Sequence, residues 1–149
     1  MGAVEEQITE FIDKFTPEMR EHIRGCRERM QAMFPDAVQL VYDNYNFFVI
    51  GFGPTDRASE SLFSLACHRK GVTLCFLQRG PDLPDPDGIL RGNGKVVRNV
   101  ILPTPSDLDR PDVRALIDAE LALARIPMDA STGRQVIVKS VSAKQRPRQ

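Results

Sequence analysis

The chain has 149 residues, 42% of them hydrophobic, and its 20 basic residues balance 20 acidic ones. That length fits one domain with a real core, and a net charge of zero provides no global field to draw the chain to nucleic acid or to an anionic membrane. No apolar run approaches the ~18 residues of a membrane span, and the N-terminus has neither a basic-then-apolar leader nor, with Glu6 in place, a myristoylation signal, so a cytoplasmic domain is expected.

Val4, Ile8, Phe11, Ile12 and Phe15 recur at spacings of three and four, which predicts a first helix ending near Phe15. Opposite that stripe Glu6, Glu10 and Asp13 stand at i, i+4 and i+7. This acidic ridge reads first as a solvated helix face, and as an alternative it could hold hard cations or meet a basic partner. Thr16 supplies a capping oxygen and Pro17 tolerates the first helical position. A second helix therefore carries Met19, Ile23, Cys26, Met30 and Met33 and stops before Pro35.

The period then changes to two. Val38–Tyr42 and Tyr45–Phe52 read as strands joined at Asp43-Asn44, followed by Leu62–His68 and Val72–Gln78 around Arg69-Lys70-Gly71. Gly71 is expected to supply the positive φ of a short hairpin. Residues 79–95 hold three prolines and four glycines and read as loop. Val96–Leu102 is one more strand. Asp109 and Asp112 stand three apart ahead of Val113, Leu116, Ile117, Leu121 and Ala124, in the pattern of a capping box opening a third helix that ends before Pro127. After Asp129 the chain has five basic residues and no acidic one, with Val136-Ile137-Val138 as a short β-prone stretch. The fold class expected is α+β, an antiparallel sheet of about five strands against two N-terminal helices and one C-terminal helix. It occupies residues 1–130, and residues 131–149 form a basic extension whose end is expected to be disordered.

Few residues point to chemistry. Cys26, Cys67 and Cys75 form an odd set without a C-x-x-C pair, so neither a disulfide framework nor a zinc knuckle is indicated. Cys67-His68 invites a nucleophile and base reading, but adjacent strand residues point to opposite faces. Asp82, Asp85 and Asp87 with Gly88 miss the register of a calcium loop. Gly92-Asn93-Gly94-Lys95 leads into a strand, where a phosphate cradle would open a helix. The stretch Val41–Phe48, VYDNYNFF, holds both tyrosines together with an Asp and two Asn. If Val38, Leu40 and Tyr42 share the core face, Tyr42 closes a core row and needs a polar partner, which Asp43 or Asn44 can supply in a turn. The same residues could converge at a sheet end to line a pocket for a small polar ligand.

Two N-terminal helices, Tyr42 and Phe47, the run FSLACHRKGVTLCFL, then GNGKVVRNVIL and a closing helix from Arg110 resemble the YdhG-like family of small domains of unknown function, over roughly Ile8 to Arg125. Members commonly carry Tyr-Gly-Met-Pro-x-Phe, and here Asp43, Asn44 and Tyr45 stand where Gly, Met and Pro would. The resemblance implies helices on an antiparallel sheet and no assigned activity. One bacterial member is described as a frataxin-like iron chaperone, which implies a metal-ligand role for Glu6, Glu10 and Asp13. The expectation is therefore a non-enzymatic domain without a cofactor, monomeric or dimeric, binding a small molecule or protein partner through Tyr42, Asp43, Asn44 and Tyr45. The alternative is iron delivery by the acidic helix face.

Overall fold

The computed structural model describes residues 2–149. Helix α1 (Ala3–Asp13) buries Ile8, Phe11 and Ile12, the spacing that its sequence presents. Helix α2 (Pro17–Met33) opens on Thr16, whose hydroxyl accepts from the Met19 N–H at 3.2 Å, and buries Ile23, Cys26 and Met30. Strands β1 (Val38–Asp43), β2 (Phe48–Gly53), β3 (Phe63–His68), β4 (Gly71–Phe76) and β5 (Arg98–Leu102) follow, then α3 (Pro111–Leu123) and a last strand, β6 (Val136–Val141). The class is α+β, as the sequence indicates.

The sheet has six strands in the order β5-β4-β3-β2-β1-β6. Consecutive strands from β1 to β5 pair antiparallel, and β6 lies parallel to β1. One sheet face carries Phe48, Ile50, Phe52, Phe63, Leu65, Leu74 and Phe76, all without measurable exposure, against the buried stripes of the three helices. Phe34, just past α2, stacks on Phe63 with ring centroids 5.5 Å apart, and Phe63 meets Phe76 edge-on at 5.8 Å. Burial of this order, at about 25 cal/mol per Å2 of apolar surface, is what holds helices to sheet.

Strand β1 differs from its expected register. Val41, paired with Ile50, is its core residue, and Gln39 and Asp43 flank it on the helix-facing side. Val38, Leu40 and Tyr42 lie on the opposite face. Both faces of β1 are buried along most of its length, so alternation of apolar and polar residues carries no information about which one meets the helices. On the far face the segment after β2 folds back so closely that a Cβ at Gly53 would stand 2.7 Å from the Ser61 Cα. Gln39 is accommodated by α2, whose Arg27 donates to its Oε1 at 3.0 Å and to both Glu5 oxygens at 2.8 and 2.9 Å. That arginine, first among the causes, holds the Glu5 carboxyl below the usual range.

Three further expectations are corrected. Gly71 has no positive φ, because His68 and Gly71 already pair as the last rung of the hairpin and only Arg69-Lys70 turn. The aspartate that closes a cap is Asp107, accepting from the Thr104 N–H at 2.8 Å in a 3-10 turn before α3, while Asp109 is drawn off to Arg29 and Arg114 at 3.1 Å each. The end of the extension is packed, and β6 makes it part of the sheet.

Glu120 of α3 is fully buried, and its two oxygens accept from the Gln78 and Arg79 N–H groups, each at 3.1 Å. Burial raises its pKa, against the lowering effect of those backbone donors. The carboxylate thus ends β4 and fixes the start of the long loop. Glu120→Ala leaves both donors unmatched and is expected to cost about 2 kcal/mol, measured as a lower urea midpoint, with faster amide exchange at Gln78 and Arg79.

Candidate functional site

In the stretch VYDNYNFF the β1–β2 hairpin closes with the Asn44 N–H donating to the Phe47 carbonyl at 3.0 Å. The tip is therefore Tyr45-Asn46, and Asp43 stays within the strand, its side chain on the core face with no exposure. A carboxylate so placed needs charged partners. Lys14, just beyond α1, reaches Oδ2 at 2.6 Å, and Arg148, from the last residues of the chain, reaches Oδ1 at 3.0 Å.

Around this pair the C-terminal segment is tied down atom by atom. The Asp43 carbonyl accepts from the Ser142 N–H at 2.8 Å and from Gln145 Nε2 at 2.9 Å. The Tyr45 carbonyl accepts from the Arg146 N–H at 2.8 Å, and Asn44 Oδ1 accepts from the Ser140 hydroxyl at 2.7 Å. Arg148 donates a second bond from Nη2 to the Asn44 carbonyl at 2.7 Å and lies over the Phe15 ring at 5.5 Å, while Arg146 lies over Tyr45 at the same distance. Burial lowers the Arg148 pKa, opposed by the Asp43 charge. Asp43, Asn44 and Tyr45, expected to face an external ligand, thus hold the tail of their own chain. Tyr42 is half-buried on the other sheet face, and partial burial raises its phenol pKa.

Glu6, Glu10 and Asp13 are exposed, Asp13 is 3.5 Å from Arg24, and no group of three or more His, Cys, Asp or Glu among the described residues is placed to hold a metal. Cys67 is buried in the core while His68 turns outward, its Nδ1 accepting from the Lys70 N–H at 3.1 Å. Burial pushes the Cys26 thiol up to about 12 and raises Cys67 and Cys75 as well, which suppresses thiolate at neutral pH. Asp85 spends both oxygens on the Ile89 and Leu90 N–H groups, at 2.9 and 3.0 Å, shaping its own loop.

A cleft unannounced by any sequence motif opens at the opposite end of β1. Helix α2 stops at Met33 because Pro35 disfavours helical φ/ψ at Phe34, and α3 stops at Leu123 shortly before Pro127. The two ends converge on an opening of about 380 Å3. Met33, Phe34, Ala37, Leu121 and Met128 form its apolar wall, and Asp36 and Asp129 are the charged residues lining it. The Ser131 hydroxyl donates to the Asp36 carbonyl at 2.5 Å and ties one side to the other. Two helix C-termini add partial negative charge to those carboxylates. The two prolines mark in the sequence where the helical patterns end, but not that the two ends meet.

Comparison with known protein families, with curated proteins and with solved structures finds no match to this chain. No helix among the described residues is long and apolar enough to cross a membrane.

Asp43→Asn keeps the shape and removes the charge between Lys14 and Arg148. The tail from Ser142 is expected to detach with a loss of about 3 kcal/mol, read as a fall in urea midpoint and rapid amide exchange at Ser142 and Arg146. Retained protection at those two amides would show that the tail is held without the carboxylate.

Proposed function

We propose that the chain is a non-enzymatic binding domain whose cleft between the ends of α2 and α3 takes a small organic cation with an apolar body. The observation that carries this reading is the pairing of an apolar wall with Asp36 and Asp129 as its charged groups, where two helix C-termini also meet. Ligand sites commonly combine a concave apolar surface with a few placed polar groups. An opening of about 380 Å3 is of the size that such sites have. Met33 and Met128 supply unbranched, polarisable side chains that adapt to ligand shape. No histidine, cysteine or serine lines the cleft, so the reading assigns it recognition and no covalent chemistry. Compared with the expectation of a small-molecule ligand, the ligand class is retained and the place is moved from the tyrosine stretch to the other end of β1.

The test uses protein labelled at its methionine methyl groups and two probes of like size and opposite charge, phenethylammonium and 3-phenylpropionate. Phenethylammonium is expected to shift the Met33 and Met128 signals saturably, and Asp36→Asn with Asp129→Asn to weaken it roughly tenfold, the loss of one charge-assisted contact. Equal response to both probes, or none to either, overturns the proposal.

A further inference from the structure

At the end of β1 away from that cleft, three separated segments of the chain meet. The β1–β2 tip brings Asn46 and Phe47, the β3–β4 turn brings His68, Arg69 and Lys70, and the docked tail brings Arg146 and Pro147, around an opening of about 450 Å3. Its wall contains no carboxylate. Some arginines of this chain pair with aspartates, as Arg29 does with Asp109, Arg79 with Asp82 and Arg110 with Asp112, and others, such as Arg57 and Arg125, stand singly among the described residues. Arg69, Lys70 and Arg146 take part in no ion pair among the described residues, although the chain as a whole has as many acidic as basic residues. Like charges gathered without counter-ions repel one another, and an anion entering between them removes that repulsion.

The aromatic component is equally placed. Phe47 is 40% exposed, and its ring stands edge-on to the His68 imidazole at 5.7 Å, so one rigid apolar plane borders the cationic groups. The asparagine amide of Asn46 offers both a donor and an acceptor beside it. Guanidinium groups and an ammonium bind phosphate oxygens through short charge-assisted hydrogen bonds, and a flat aromatic surface binds a nucleobase by stacking.

We propose that this notch binds a nucleoside phosphate, with the phosphate between Arg69, Lys70 and Arg146 and the base against Phe47. The site exists only when the tail is docked, because Arg146 and Pro147 are its third wall. Asp43 is therefore a positioning residue: it touches no ligand, yet through Arg148 it brings Arg146 to the notch.

The experiment is a titration of 15N-labelled full-length protein with AMP and ADP, with adenosine, inorganic phosphate and an octameric oligouridylate in parallel. AMP and ADP are expected to shift the Asn46, Phe47, Arg69, Lys70 and Arg146 amides saturably, more weakly as salt rises, and at least tenfold more tightly than adenosine or phosphate. Arg146→Ala is expected to weaken binding roughly tenfold, and the exposed-turn pair Arg69→Glu and Lys70→Glu to abolish it. Asp43→Asn should match the loss from Arg146→Ala, and the two together should lose no more than either alone. Silence at millimolar ADP, or binding indifferent to the Arg69 and Lys70 changes, overturns the site. Inorganic phosphate binding as tightly as AMP overturns the nucleoside part, and an octamer binding a hundredfold more tightly than ADP overturns the mononucleotide in favour of a strand. Full additivity of Asp43→Asn and Arg146→Ala removes the positioning role.

Discussion

A single buried carboxylate organises one end of this domain. Asp43 sits on the core face of β1 where its neighbours across the sheet are apolar, Phe48 beside it and Cys67 one strand further. Removing a carboxylate from water costs several kcal/mol, and only close opposite charge with further hydrogen bonds offsets it. Lys14 and Arg148 supply the charge, from residues 29 and 105 positions away in the chain. The requirement of one side chain for partners thus draws together the end of α1, the first hairpin and the last residues of the protein.

The architecture follows from that attachment. With the tail held at Asp43, residues 136–141 lie along β1 and pair with it in parallel. Strand β1 becomes internal, and an otherwise open edge that invites pairing with other chains is covered. The bulge between Val41 and Tyr42 marks where β6 adjusts its register as the tail turns toward the hairpin tip. At the opposite sheet edge the Arg91–Asn99 bridge partly shields β5 in the same way.

Strand β1 also connects two chemically opposite ends. Ala37, immediately before it, lines the acid-rimmed apolar cleft, and Asp43, its last residue, organises the basic notch about 20 Å away. A chain whose charges cancel in sum separates them in space, and local fields of each sign act over about a Debye length. The neutral composition that disfavours a global attraction to polyanions leaves such local sites untouched. Arg69-Lys70 was legible as a turn and Arg146 as part of a basic tail, but their meeting was not, because they stand more than 75 positions apart in the chain. Nor was the meeting of Phe34 with Met128.

Local patterning suffices for the three helices, the antiparallel order of β1 to β5 and the α+β class. These rest on spacings of three, four and two residues, on a Thr-Pro start and on turns, all of which act between near neighbours. The assembled fold sets which face of β1 meets the helices, because a strand buried on both sides has no polar face to betray its orientation. It alone decided the fate of the tail as well. A short β-prone stretch followed by polar residues lacks the apolar surface to fold by its own composition, and what orders it is a carboxylate some hundred residues earlier, buried only after the sheet has formed.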